Sequence, residues 1–237
     1  MPPTVVLVHG AFAESASWDG VVDALAPSSL PAIAAANPLR GLAADAASVS
    51  DLVATIDGPV VLVGHSYGGA VISNVRRDAG EIVALVYVAG FAPDAGEDCV
   101  TLSLRFPGST LGAALTPVPR TDGTTDLYIA RDRFHEQFAA DVPEAVTARM
   151  AVTQRPATQE ALSEPSGDDP LWRHVPSWFV FGEEDRNIPA ALEHDMARRA
   201  GAHRTIEIPG ASHAVPVAHP AATARLIAEA ATVRAVA

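Results

Sequence analysis

All 16 basic residues of this 237-residue chain are arginine, so no mechanism built on a lysine amine is open to it. Cysteine occurs once, at Cys99. No internal disulfide can form, and a reducing cytoplasm is the expected setting. A lone cysteine of this kind reads as a small apolar packing residue. Long apolar runs are also missing: the longest, Ile82 to Ala92, falls well short of the ~20 residues that a membrane span requires. No basic stretch precedes the strand-like Thr4 to Val8, so no secretory leader is expected. Positive charge is scarce, with 28 acidic residues and a net charge of −12, which argues against nucleic acid or an anionic membrane surface as a partner. The chain has no His-x-x-x-His pair or cysteine cluster, and no Gly-x-Gly-x-x-Gly after a strand. Neither a metal nor a dinucleotide cofactor is therefore expected.

What is present suits one large α/β domain: 49% hydrophobic residues and 19% charged ones. Thr4 to Val8, Val60 to Val63 and Ile82 to Val88 read as buried strands, and Ala32 to Ala36 as a further, weakly signalled one. Between them, Ser17 is the expected N-cap of a first helix, Ala43 to Ile56 keeps helical spacing, and a third helix follows Ser66. This alternation calls for a mainly parallel sheet with helices on both faces. The rhythm breaks at Phe91-Ala92-Pro93 and resumes near Trp178, with a helix at Ala190 to Ala200, a strand at Thr205 to Ile208 and a helix at Pro220 to Val233. Residues 93–172 are thus expected to form a small inserted cap, and residues 1–92 and 173–237 the core. Within the cap, Asp122-Gly123 marks a hairpin, and Arg131 to Ala140 and Pro143 to Val152 look helical.

The chemistry centres on Gly64-His65-Ser66-Tyr67-Gly68, an apolar strand running into a sharp turn and then a helix. A serine at such a turn presents its hydroxyl above the sheet edge, at a helix N-terminus. It needs a base, and His213 is placed for that, in the loop after the last strand. His9 and His65 read as structural, orienting their loops. The base needs a carboxylate to hold its tautomer. Glu183, Glu184 and Asp185 all follow the Trp178 strand, and Asp94 follows the Ile82 strand. Oxyanion amides are expected from Tyr67 and from the loop after the first strand, at Ala11 or, second, at Phe12.

His9-Gly10, Gly64-x-Ser66-x-Gly68, Gly182-x-x-Asp185-x-x-x-Pro189 and Gly210-x-x-His213 together resemble the α/β-hydrolase superfamily, over nearly the whole chain. The resemblance selects Asp185 as the acid of a Ser66–His213–Asp185 triad. The cap length, its hairpin and the opening Val-Leu-Val-His-Gly-Ala are most similar to the plant methylesterase and hydroxynitrile-lyase branch. Lyases of that branch carry a lysine after the catalytic histidine and a threonine in the first loop. Ala214 and Gly10 occupy those positions here, which tells against cyanohydrin cleavage. The resemblance implies a serine hydrolase that cleaves a small or medium carboxylic ester through an acyl-enzyme. A slow or non-catalytic ligand receptor, or lactone, perhydrolytic or C–C chemistry on the same triad, is the alternative. Phe12, Trp18, Tyr67, Phe91, Leu102, Phe106, Tyr128 and Trp172 are expected around the substrate, and a homodimer is left open.

Overall fold

The computed structural model describes residues 1–232. Six parallel strands form the central sheet, in the order β2-β1-β3-β4-β8-β9. Their ranges are β1 Thr4–Val8, β2 Ala32–Ala35, β3 Pro59–Ser66, β4 Glu81–Gly90, β8 Ser177–Gly182 and β9 Arg204–Ile208. A second, antiparallel sheet is built from β5 Leu115–Pro119, β6 Thr125–Ile129 and β7 Ala157–Thr158. The core helices are α1 Asp19–Leu25, α2 Leu42–Val53, α3 Tyr67–Ser73, α9 Ala190–Arg199, α10 Val215–Ala218 and α11 Pro220–Ala230. Between β4 and β8 lie α4 Cys99–Ser103, α5 Leu111–Ala114, α6 Phe134–Phe138, α7 Glu144–Thr153 and α8 Gln159–Ser163.

Central strands buried on both faces must be apolar throughout, and these are. Val5 to Val8 in β1, Val60 to Val63 in β3 and Ala84 to Ala89 in β4 are all fully enclosed. α1 packs with α11, and α2 packs with α3, and these two pairs cover the sheet. The edge strand β9 is instead exposed at Arg204, Thr205 and Glu207, with Ile206 and Ile208 half-buried. Every parallel strand ends at the same edge of the sheet, so the loops after β1, β3, β8 and β9 converge there.

In the inserted region the β5–β6 hairpin turns at Asp122 and Gly123. Gly123 takes φ +89°, and the Asp122 side chain accepts hydrogen bonds from the Thr124 amide and hydroxyl. Pro117 and Pro119 lie in β5, an edge strand where the missing N–H costs least. Several expected helix boundaries move, with α2 ending at Val53 rather than Ile56 and α6 at Phe138 rather than Ala140. Ser17 does not cap α1: its hydroxyl donates to the Glu14 carbonyl at 2.6 Å, closing a 3-10 turn over Ser15–Trp18 before the helix starts. Arg131 to Arg133 form a turn ahead of α6 rather than its first residues, with the Arg133 amide bonded to Ala130. The C-terminal helix is described to Ala230, and Val233 lies outside the described residues. No helix among the described residues is long and apolar enough to cross a membrane.

Candidate active site

β3 runs without a break into α3, and Ser66 sits at the junction with φ +55° and ψ −124°. That is a strained conformation for a residue with a side chain, of the kind that persists where surrounding structure imposes it. The bend is so tight that a Cβ on Gly64 would land on the Gly68 backbone, and one on Gly68 would land on the Val8 carbonyl. The Phe91 amide holds the Ser66 carbonyl at 3.1 Å. Ser66 itself retains 7% of its surface, among residues that are otherwise enclosed.

His213 and Asp185 meet next to this elbow. Nδ1 of His213 lies 2.6 Å from Oδ2 of Asp185, and both side chains are fully buried. The other oxygen of Asp185, Oδ1, accepts the amides of Asn187 at 2.7 Å and Ile188 at 2.9 Å. Both carboxylate oxygens are therefore partnered, and two amides of its own loop help to set its orientation. With Nδ1–H donating to Asp185, Nε2 of His213 is left as the acceptor. It has no protein partner among the described residues, and it is not hydrogen bonded to Ser66 in this structure. The other acids are placed elsewhere. Glu183 and Glu184 are exposed, and Asp94 pairs with Arg173.

His9 and His65 tie loops together, as expected. The Asn37 amide donates to Nε2 of His9 at 3.1 Å, so Nδ1 carries the proton and donates to the Gly10 carbonyl at 2.9 Å. Burial lowers the His9 pKa, which favours this neutral form. Nε2 of His65 lies 3.1 Å from the His213 carbonyl, and the two rings are 4.9 Å apart between centroids. Burial, and then the neighbouring His213, hold His65 well below the usual imidazole range. It is a neutral donor that pins the His213 loop to the residue before Ser66.

The first loop separates Ala11 from Phe12. The Phe12 amide donates to the Arg155 carbonyl at 3.0 Å, and Phe12 takes φ +61° to do so. The Ala11 amide has no acceptor among the described residues. Gly10 comes so close to the elbow that a Cβ there would stand 2.6 Å from Cβ of Ser66 and 2.7 Å from the His65 carbonyl.

Helix α6 covers the site from the inserted region, a role that no spacing in the sequence announces. The Phe138 ring stands edge-on to His213 at 4.9 Å and to His65 at 6.0 Å. Gln137 donates to the Arg186 carbonyl at 2.9 Å and to Asn187 at 2.7 Å, steadying the Asp185 loop. Asp141, just beyond α6, accepts the Ser212 hydroxyl and His219.

The expected substrate-lining residues do not gather in one place. Phe91 lines an apolar cavity of about 470 Å³ with Cys99, Leu111, Leu115, Leu127 and Leu162. Tyr128 lines a different cavity with Thr116 and Val152, because adjacent residues of β6 point to opposite faces. The same alternation, legible in the sequence, gives Leu127 and Tyr128 opposite faces. Phe12 lines a third cavity, with Glu14, Met150 and Gln154. Trp18 is fully buried, edge-on to His65 at 6.3 Å. Trp172 is also interior, donating to the Pro93 carbonyl at 2.7 Å with Arg173 and Arg199 near its faces. Cys99 is buried, and burial pushes its thiol up, out of the reactive range.

A parallel α/β sheet with a serine on a strand–turn–helix elbow, and a histidine–aspartate pair beside it, defines a hydrolase-type architecture. The alpha/beta hydrolase family matches residues 5–226, and the chain belongs to that family. Among its relatives, the alpha/beta hydrolase nvfD of Aspergillus novofumigatus is 25% identical over 98% of this chain and 97% of that one. The pyrethroid hydrolase of Sphingobium wenxiniae is 26% identical over 95% of this chain and 86% of its own length. The structure of a methylesterase from Arabidopsis superposes with a TM-score of 0.78 at 14% identity, over 98% of this chain and 100% of the other.

Proposed function

We propose that this hydrolase is a serine carboxylesterase acting on esters with an apolar acyl or alcohol part. The observation that carries the reading is the fully buried His213–Asp185 hydrogen bond beside the strained Ser66. It presets the imidazole tautomer that a serine hydroxyl needs as its base. Ser66 Oγ adds to the ester carbonyl carbon while its proton passes to Nε2 of His213. The C–O bond to the alcohol then breaks, and the alcohol leaves with that proton. Water next gives a proton to Nε2 and attacks the acyl-enzyme, and Ser66 leaves with the proton returned. The amides of Ala11 and Tyr67 bind the oxyanion, each such donor being worth about 3–4 kcal/mol in the transition state. The choice of Ala11 over Phe12 follows from the Phe12 amide being occupied by Arg155.

The cavity beside Phe91 fits the apolar group of the substrate, since five leucines with Phe91, Cys99, Val100 and Ala113 make up most of its wall. Esters, rather than cyanohydrins, also suit the first loop. A threonine at the Gly10 position would put its Cβ against Ser66 and the His65 carbonyl. The buried, lone Cys99 fits a reducing compartment such as the cytoplasm. Turnover of p-nitrophenyl acetate, lost in Ser66→Ala, tests the assignment. Undiminished activity in that variant overturns it.

A further inference from the structure

Tyr67, the residue after Ser66, is fully buried, and its hydroxyl donates to Oδ2 of Asp45 at 2.8 Å. Asp45 belongs to α2, and its carboxylate is also enclosed. It takes a second donor, the Arg40 amide, at 3.1 Å to Oδ1 and 3.2 Å to Oδ2. Arg40 does not stop at that contact. Its guanidinium reaches Asp126 at 2.6 Å and the Pro156 carbonyl at 2.9 Å, while its own carbonyl accepts the Thr158 hydroxyl at 3.1 Å. Asp126 is almost fully buried and is held from its other side by Arg120 at 3.0 Å. It sits on β6 next to Leu127, which lines the cavity shared with Phe91. One unbroken chain of hydrogen bonds thus runs from the inserted hairpin, through Arg40 and Asp45, to the residue whose backbone amide faces the developing charge in the esterase reading.

We propose that Asp45 is a positioning residue that fixes Tyr67, and that Arg40 and Asp126 couple the seating of the hairpin to the alignment of the elbow. The proposal rests on the serine-esterase reading for its catalytic consequence. Physically, a tyrosine that is buried whole and bonded only at its tip is held at both ends, by its backbone and by its hydroxyl. Loss of the tip leaves the elbow amide to the backbone alone. Complete removal of an oxyanion donor lowers kcat by about 10²–10³-fold, so a donor displaced but present should cost about tenfold.

The test is steady-state kinetics on a short p-nitrophenyl ester, for Tyr67→Phe, Asp45→Ala, Asp45→Asn, Asp126→Asn and the Tyr67→Phe/Asp126→Asn double variant. Thermal melting of each variant separates misfolding from misalignment. Tyr67→Phe and Asp45→Ala should each lower kcat about tenfold with KM nearly unchanged. Asp45→Asn, which keeps an acceptor for the tyrosine, should recover part of that loss. Asp126→Asn should act in the same direction, and the double variant should lose less than the product of the single losses. In parallel, hydrogen exchange over residues 64–70 should quicken in folded Asp126→Asn. Unchanged kcat in folded Tyr67→Phe, or strictly multiplicative losses with unchanged exchange, overturns the relay while Ser66→Ala still loses turnover. Turnover that survives in Ser66→Ala overturns the esterase reading and the catalytic role of Asp45 with it. In that case the exchange of residues 64–70 alone decides whether the hairpin and the elbow are coupled.

Discussion

Nδ1 of His213 and Oδ2 of Asp185 stand 2.6 Å apart with no part of either side chain open to solvent. A hydrogen bond so enclosed selects one tautomer, because an amide in place of the carboxylate can offer its N–H to the same nitrogen and turn the imidazole over. Asp185→Asn should therefore lower kcat by about 10⁴-fold with the fold intact. Asp94→Asn, which breaks a pair with Arg173 outside the site, should leave kcat within a few-fold of the parent. Steady-state kinetics on p-nitrophenyl acetate, with circular dichroism on both variants, checks the pair. The reverse ranking would move the acid to Asp94.

The approach of Gly10 to the elbow predicts a position that tolerates no side chain. In Gly10→Ala the new Cβ meets backbone and Cβ atoms at 2.6–2.7 Å, and neither neighbour can rotate away. The cost should be about 1–3 kcal/mol of stability, as for other overpacked sites. Activity should fall further than stability does, since the atom displaced is Cβ of Ser66. Urea unfolding and kcat measured on the same preparation check both. A variant of parental stability and rate would show that the first loop has more room than the structure gives it.

Glu193 predicts the pH dependence of stability. It is fully buried in the first turn of α9, and neither carboxylate oxygen has a partner among the described residues. Burial, and then the charge of Asp185, raise its pKa well above the ordinary carboxylate value. With the folded value raised, the unfolded chain ionises first. Ionisation thus adds no penalty below about pH 4.3, the usual unfolded value, and stability is lost as pH rises beyond it. Glu193→Gln removes that ionisation. Its melting temperature should exceed the parent's at pH 8 and approach it near pH 4. Equal differences at the two pH values would mean that Glu193 is not held neutral.

Alternation along β6 separates two neighbours in specificity. Leu127 lines the cavity beside Phe91, and Tyr128 lines another. Leu127→Phe should shrink the space for the substrate's apolar group and shift preference toward shorter acyl chains, seen as a rise in KM for hexanoate over acetate esters. Tyr128→Ala should leave that ratio unchanged. A panel of p-nitrophenyl esters from two to eight carbons reads both. A chain-length shift in Tyr128→Ala alone would assign the substrate to the other face of the hairpin.

Local patterns carried most of the core. Runs such as Val5 to Val8 and Val60 to Val63 are apolar at every position, which only strands covered on both faces require, and so the parallel sheet was legible. The bend at Ser66 was legible from the short spacing of Gly64 and Gly68: the collision that Gly64 avoids is with the Gly68 backbone, while the one that Gly68 avoids is with the Val8 carbonyl of β1, which only the fold brings near. Trp18 and Trp172 are interior. A large aromatic near a sheet edge packs inward as readily as toward a ligand, and nothing in its neighbours distinguishes the two. Ser17 was misleading because a hydroxyl can close the turn behind it as well as cap the helix ahead.

By itself, then, the sequence determined the strand–helix alternation and the place of Ser66 between two close glycines, each set by residues within a few positions of one another. The tertiary structure decided what depends on distant segments meeting. It brought Asp185 rather than Asp94 to His213, drew the Phe12 amide to Arg155 while the Ala11 amide has no acceptor among the described residues, and set Phe138 of α6 edge-on to the imidazole. It also joined Tyr67 to Asp126 through Asp45 and Arg40. Apart from the Arg40–Asp45 contact, these join residues distant in sequence, and their partners are chosen by packing and by the need to satisfy buried polar groups, which no local spacing records.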